Sequence, residues 1–291
     1  MTERKFVDVD GIKTSFFEAG AGEPLVLFHG GNFGSPSLAD SALDFSTNFD
    51  ELARRFHVFA IDRVGQGFTE NPRDLSKYTM QGSIEHAIAA IEALGLRDLH
   101  LLGHSRGGYL VCAVTLQRPD LVKTVTIVDS TTLAPGIGRN DVVLANPPGP
   151  SLSAACQRWV LERFSYSVGH ITDDWIDQLV EIGSRPAYLE ACSVMIDQGL
   201  LQTQFIPQLT RQKSEIFGQI RDIGIGRPTH IIWGYNDPTA PIQGGQALYD
   251  LCAMRERRTQ MTIINQAGHF SFREHPVQFN ACVTGFIQGV G

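Results

Sequence analysis

Short, almost wholly apolar runs alternate along this chain with longer stretches in which apolar residues recur every three or four positions. The short runs have the length and composition of strands that are covered on both faces of a sheet. A hairpin that turns at Asp10-Gly11 is predicted ahead of them. The longer stretches predict amphipathic helices, of which the clearest, 80–94, gathers Ile84, Ile91 and other apolar side chains on one face and stops at Gly95. The predicted strands are 5–9, 12–18, 24–28, 56–61, 99–102, 122–128, 229–234 and 260–264.

Strands that alternate with helices predict an α/β fold with a mainly parallel sheet and helices on both faces. The alternation breaks near residue 131. Residues 134–150 are rich in proline and glycine, and 152–220 show helical periodicity without a convincing strand. We therefore predict a helical cap, 131–222, inserted into a core made of 1–130 and 223–291. Such an insertion projects from the carboxyl edge of the sheet, where α/β folds bind ligands.

The segment Gly103-His104-Ser105-Arg106-Gly107 lies between a predicted strand and an apolar stretch that can continue as a helix. A serine on so sharp a turn is a candidate nucleophile, because its hydroxyl stands at the tip of the turn, next to the free N–H groups of a helix N-terminus. The glycines on either side leave room for the strand and the helix to approach each other. The alternative is a serine that only shapes a tight turn.

Two further loops after predicted strands carry the other parts of an acyl-transfer site. Asp237 follows the strand at 229–234, and His269 follows the strand at 260–264. An imidazole there can take the Ser105 proton while a carboxylate orients it. Asp129, at the end of another strand, is the competing acid. An early loop, His29-Gly30-Gly31-Asn32, has glycines that expose backbone N–H groups, so Gly31 and Arg106 are the predicted oxyanion donors.

Together these motifs resemble the α/β-hydrolase superfamily over nearly the whole chain, which implies a cofactor-free hydrolase with a Ser105–His269–Asp237 triad. Within it the chain is similar to the meta-cleavage-product hydrolases, the carbon–carbon bond hydrolases of aromatic catabolism. The likeness rests on the His-Gly-Gly loop, on the cap after a Val-Asp-Ser strand end, and on residues 184–189. The motifs are Phe28-His-Gly-Gly, Asp62-Arg-x-Gly-x-Gly, Gly103-His-Ser-Arg-Gly-Gly, Trp233-Gly-x-x-Asp and Ala267-Gly-His.

The resemblance implies a substrate-binding arginine at Arg185. The other expected substrate contacts are Gly30, Asn32, His104 and Phe270. The family usually has Asn before the nucleophile and Trp after the catalytic histidine, where this chain has His104 and Phe270. Because histidine before the nucleophile is common in esterases and lipases of this fold, a carbon–carbon bond and a carboxylic ester or lactone both remain open as the bond cleaved.

Two further hypotheses use the same scaffold. A ligand-binding receptor would keep the fold without turnover, and a dehalogenase or epoxide hydrolase would need a carboxylate at position 105. The substrate expected for a hydrolase is a small or medium apolar carbonyl compound, and homodimer formation stays open.

Composition and residue spacing indicate which binding partners and cofactors are not expected. The net charge is −7 and basic residues do not cluster, so no nucleic-acid or membrane contact is expected. The first residues lack the apolar stretch of a signal peptide, and five scattered cysteines suit reduced thiols, which together favour a cytoplasmic protein. No histidine pair has metal-ligand spacing, and no complete Gly-x-Gly-x-x-Gly is present, so neither a metal nor a dinucleotide cofactor is expected.

Overall fold

The computed structural model describes residue 1 and residues 3–290, so that residues 2 and 291 of the predicted core lie outside the described part. Eight strands form one sheet in the order β1-β2-β4-β3-β5-β6-β7-β8. β2 pairs antiparallel with β1 and with β4, and every other neighbouring pair is parallel. The strands are β1 Arg4–Val9, β2 Ile12–Ala19, β3 Pro24–Phe28, β4 His57–Ile61, β5 Leu99–His104, β6 Val122–Val128, β7 Thr229–Gly234 and β8 Thr259–Ile264. The predicted α/β class and parallel sheet are confirmed.

Eleven α-helices surround the sheet in the described residues. Between β6 and β7 the described chain forms helices and loops but no strand. That segment also contains two π-helical turns, Ser193–Asp197 and Leu201–Phe205. The helices are α1 Phe49–Leu52, α2 Met80–Ala93, α3 Arg106–Gln117, α4 Asn140–Val143, α5 Ala154–Phe164, α6 Asp173–Gly183, α7 Pro186–Cys192, α8 Ile206–Ile223, α9 Ile242–Ala253, α10 Ser271–Glu274 and α11 Pro276–Val290. No helix in the described chain has the length and hydropathy required to cross a bilayer.

Both faces of the central strands are buried, which explains why their sequences are apolar runs without alternation. Successive residues of β3 go to opposite sides: Val26 packs into one core cluster, and Leu25 and Leu27 pack into the other. Ile231 and Ile232 divide in the same way on β7. Each core therefore lies between the sheet and one layer of helices.

The register of the parallel strands brings their carboxyl ends to one edge. Phe28 of β3 pairs with Gly103 of β5, and Val128 of β6 pairs with Ile232 of β7. Gly234 pairs with Ile264 at the end of β8. The loops that leave these strands consequently start side by side, although they are far apart in the sequence.

Close backbone approach at the β5–α3 turn requires glycine. A Cβ on Gly103 would lie 2.1 Å from the Gly107 carbonyl oxygen, and one on Gly107 would lie 2.2 Å from the Phe28 carbonyl oxygen. Both obstacles are backbone atoms, which cannot move aside as a flexible side chain can. The turn therefore keeps its shape only with glycine at these two positions.

We expect Gly107→Ala to destabilise the protein by about 3 kcal/mol or more, since the new methyl group forces the helix away from β3. The matched control is Gly285→Ala, which is exposed within α11 and has no atom within 4 Å of the added Cβ. That change should raise stability by about 0.5–1 kcal/mol, because alanine is the better helix former. Urea unfolding measures both, and equal effects would contradict the steric explanation.

Candidate active site

Ser105 occupies the turn between β5 and α3 with φ 53° and ψ −118°. Residues other than glycine rarely adopt this backbone conformation. Two hydrogen bonds hold it there. Its N–H donates to the Val128 carbonyl at 2.8 Å, and the Ser130 hydroxyl donates to the Ser105 carbonyl at 2.6 Å. Neighbouring structure thus stabilises the strained residue, as is common where a reactive side chain must be presented at a tip.

His269 and Asp237 form a buried pair. The Asp237 carboxylate receives the Thr239 and Ala240 N–H groups, both at 2.8 Å, and the Thr239 hydroxyl at 2.9 Å on one oxygen. The other oxygen lies 2.6 Å from His269 Nδ1. This hydrogen bond requires a proton on Nδ1. In a neutral imidazole the Nε2 atom therefore carries no proton and is the basic nitrogen.

Charges around His269 favour its protonated form. Burial by itself lowers the pKa of His269, but the Asp237 carboxylate and its hydrogen bond, with further help from Asp129 and Asp40, raise that pKa above its usual value. The imidazole is therefore a stronger proton acceptor than a free histidine.

Asp129, the competing acid, has other partners. Its carboxyl oxygens accept the Gly234 N–H and the Ser271 hydroxyl, both at 2.6 Å. Burial and the nearby Asp237 raise the pKa of Asp129 well above its usual value. It links the end of β7 to the start of α10 and makes no hydrogen bond to His269 in the described residues.

A cavity of about 620 Å³ lies beside Ser105 and His269. Its wall includes Ser105 and His269 together with Gly31 and Arg106, the predicted oxyanion donors. Arg106 is the first residue of α3, so its N–H has no acceptor within the helix. Of the expected substrate contacts, Asn32, His104 and Phe270 also line the cavity.

The His29–Gly31 loop is held in place by buried Arg63, the arginine of the Asp62-Arg-x-Gly-x-Gly motif, whose role the sequence did not predict. The Arg63 guanidinium donates to the Gly30 carbonyl at 2.9 Å and to the Gly31 carbonyl at 3.0 Å. The Arg63 N–H donates to His29 Nε2 at 3.0 Å, which leaves the His29 proton on Nδ1, 2.9 Å from the Gly30 carbonyl. Arg63 thus fixes both carbonyls of this loop. The Gly31 N–H makes no hydrogen bond in the described chain.

Asp40 is a second group that sequence patterns did not indicate. It is 8% exposed and lines the cavity, and its carboxyl lies against Gly31, where a Cβ would come within 2.4 Å of it. Burial raises its pKa to about 6, and the positive charges of Arg63, His269 and Arg106 oppose that rise. No motif marks Asp40, because its position depends on how the loop folds back.

Three expected substrate residues have packing or positioning contacts. His104 Nε2 donates to the His269 carbonyl at 2.8 Å, so its ring holds the His269 loop, while His104 Nδ1 is buried without a partner. Phe270 packs on His104, with ring centroids 5.1 Å apart. Gly30 lies behind the cavity wall, where a Cβ would be 3.0 Å from the Ser105 Cβ.

Arg185 does not line the cavity. Its guanidinium donates to the Gly67 carbonyl and stacks 4.5 Å from the centre of the Phe68 ring. These contacts fasten the start of α7 to the loop after β4. The structure therefore places Arg185 outside the cavity wall, and its carboxylate-binding role stays a prediction.

A family model described as "alpha/beta hydrolase fold" matches residues 23–173, just over half of the chain. This chain belongs to the α/β-hydrolase family. The matched region contains the His29–Gly31 loop, the Ser105 turn and the start of the helical segment 131–222.

The curated relatives of this α/β hydrolase include two bacterial enzymes. The 2-hydroxymuconate semialdehyde hydrolase of Pseudomonas sp. strain CF600 is 26% identical over 95% of this chain and 91% of its own length. The 2-hydroxy-6-oxo-2,4-heptadienoate hydrolase of Pseudomonas putida is 27% identical over 97% of this chain and 95% of its own length. The predicted resemblance to meta-cleavage-product hydrolases is confirmed by these relatives.

A solved structure shares the fold. The meta-cleavage product hydrolase of Pseudomonas fluorescens IP01 superimposes with a TM-score of 0.79 at 23% identity, covering 99% of this chain and 98% of that one. The coverage extends through the helical segment 131–222 as well as the sheet.

Replacing Asp40 should change the basicity of His269 in this α/β hydrolase. We expect Asp40→Asn to lower the pKa of the His269 imidazole, because a negative charge that favours its protonation is removed. A pH titration of the His269 ring nitrogens by NMR measures this without any substrate. Asp141→Asn is the control, since Asp141 lines the same cavity but is exposed, where solvent screens its charge. An unchanged His269 titration in Asp40→Asn would contradict the assigned charge effect.

Proposed function

We propose that this chain is a serine hydrolase that cleaves a carbon–carbon bond in a 2-hydroxy-6-oxo-dienoate, using Ser105, His269 and Asp237. One observation carries the proposal: His269 Nδ1 lies 2.6 Å from the Asp237 carboxylate, while the same imidazole shares a cavity wall with Ser105. This is the arrangement of a base that is oriented on one nitrogen and free to act through the other.

The proposed reaction begins with tautomerisation. In the dienol form the substrate has a hydroxyl on C2 and a carbonyl at C6, and transfer of the hydroxyl proton to C5 gives the C2 ketone. His269 then takes the Ser105 proton, and the serine oxygen adds to C6. The N–H groups of Gly31 and Arg106 stabilise the resulting oxyanion.

Collapse of that intermediate breaks the C5–C6 bond. The electron pair on C5 is delocalised onto the C2 oxygen, and the proton held by His269 returns to the leaving fragment. Water, activated by the same imidazole, then hydrolyses the acyl-serine ester and releases a carboxylic acid. No cofactor is required, because the substrate's own C2 carbonyl accepts the electrons.

The substrate class is supported by the relatives, whose names specify 2-hydroxymuconate semialdehyde and 2-hydroxy-6-oxo-2,4-heptadienoate. We further propose that residues 131–222 act as the cap that limits water entry and shapes specificity. Cavity-lining residues of this segment support that role: they are Asn140, Asp141, Leu144, Val160, Phe164, Ile196, Leu201, Gln202 and Ile206.

Hydrolysis of a carboxylic ester or lactone is the second candidate. His104 favours it, since the side chain before the nucleophile donates to the His269 backbone and offers no amide to a dienoate. The same serine, imidazole and oxyanion donors serve both reactions, and only the leaving group differs.

A turnover panel separates the candidates. With 2-hydroxy-6-oxo-2,4-heptadienoate and short p-nitrophenyl esters, we expect the dienoate to have the higher kcat/KM. Ser105→Ala should lower kcat on every substrate by about 10³-fold or more, because no alkoxide can form. Ligand binding by calorimetry should survive that substitution.

Turnover of the esters alone would refute the carbon–carbon assignment. Full retention of turnover in Ser105→Ala would refute the serine mechanism. Ligand binding by a wild-type protein that turns over none of the substrates would favour a receptor.

Asp237→Asn and Asp129→Asn form a matched pair. We expect Asp237→Asn to lower kcat by about 10³- to 10⁴-fold, because an amide facing Nδ1 favours the wrong imidazole tautomer. Asp129→Asn should chiefly lower stability, since its partners are Gly234 and Ser271 rather than the imidazole. Stopped-flow kinetics and thermal unfolding check both variants, and a larger kcat loss in Asp129→Asn would reverse the assignment.

A further inference from the structure

The Arg106 side chain is a cationic group without a protein partner at the cavity. Its guanidinium makes no hydrogen bond and no ion pair with any described residue, and Nη1 is fully buried. The guanidinium carbon lies 5.0 Å from the centre of the Phe205 ring, which supports one face of the group. The residue lines the cavity, so a molecule bound there lies within one side-chain length of the guanidinium.

This cation has no ion-pair partner in the described residues. Asp40 is the carboxyl whose charge attracts it, yet no nitrogen of Arg106 or Arg63 comes within the 4.0 Å of an ion pair with Asp40. Burial lowers the pKa of Arg106 to about 10 against the attraction of Asp40, so the guanidinium is charged at neutral pH. Nη1 of the neighbouring Arg63 donates instead to the Gly30 and Gly31 carbonyls.

A buried guanidinium with unused donors is costly unless a ligand supplies the acceptors. A planar carboxylate matches the donor fork of arginine and can accept two parallel hydrogen bonds. Asn32 lies in the same cavity wall with its amide oxygen buried and without a partner, so a further polar group of the ligand can be accommodated there.

The position of Arg106 suits one end of a dienoate. Its N–H is the proposed oxyanion donor, so the side chain starts beside the carbonyl that Ser105 attacks. In an extended 2-hydroxy-6-oxo-dienoate the carboxylate is five bonds from that carbonyl, about 6 Å by standard bond geometry. An arginine side chain spans a similar length, so the two ends can be held by the backbone and the side chain of one residue.

We propose that the Arg106 guanidinium binds the substrate carboxylate, and that it gives this hydrolase its preference for free acids over neutral esters of the same acids. This inference rests on the proposed function and names the residue that selects its substrates. It assigns to α3 the role that the sequence resemblance gave to Arg185.

The test measures binding, so that it does not depend on turnover. On the Ser105→Ala background, the Kd of 2-hydroxy-6-oxo-2,4-heptadienoate and the Kd of its methyl ester are determined by calorimetry. We expect Arg106→Gln to reduce the preference for the acid over the ester by about 10- to 100-fold, as loss of a charge-assisted pair predicts. Arg106→Lys should retain part of the preference, because it keeps the charge without the fork.

Arg185→Gln is the matched control and should leave the preference unchanged, because Arg185 is held by Gly67 and Phe68 outside the cavity. Thermal unfolding confirms that each variant folds, and Arg106→Lys provides the measurement should Arg106→Gln not fold. Three results would each overturn the proposal. Arg106→Gln could weaken acid and ester equally, both Arg106 variants could keep the full preference for the acid, or the preference could be lost only in Arg185→Gln. Failure of the proposed function is seen separately, as absence of dienoate turnover by the wild-type enzyme.

Discussion

The register of five parallel strands, β3 and β5 to β8, is the constraint on which the site depends. Because these strands end at one edge, the loops carrying Gly31, Ser105, Asp237 and His269 begin within reach of one another. The sheet is buried on both faces, so a slip in register would expose apolar side chains and misplace every loop together. Stability of the core and geometry of the cavity thus have the same origin.

Buried polar groups then refine what the sheet brings together. Asp237 uses one carboxyl oxygen for its own loop and reserves the other for His269. Asp129 links the end of β7 to the start of α10, and Arg63 donates to the Gly30 and Gly31 carbonyls. Each of these groups is paired because an unsatisfied buried charge would cost more than any single hydrogen bond returns. At the cavity, Arg106 Nη1 is buried without a protein partner, and we propose that a ligand supplies one.

Local sequence determined much of this protein. Apolar runs of strand length, the glycines of the β5–α3 turn and the order of Ser105, Asp237 and His269 predict the α/β fold and the position of each candidate catalytic group. These features are readable because burial on both faces, close backbone approach and strand-end loops each leave a short-range signature.

Only the tertiary structure decided which charged groups contact each other and which of them line the cavity. It pairs His269 with Asp237 rather than Asp129, fastens Arg185 to the Gly67 carbonyl, and places Arg106 and Asp40 at the cavity. Which charges meet depends on contacts between separate segments, 32 residues apart for His269 and Asp237 and 118 for Arg185 and Gly67, and on how far each group is removed from water. Neither quantity has a local pattern, because Coulomb attraction and desolvation depend on distance in space rather than along the chain.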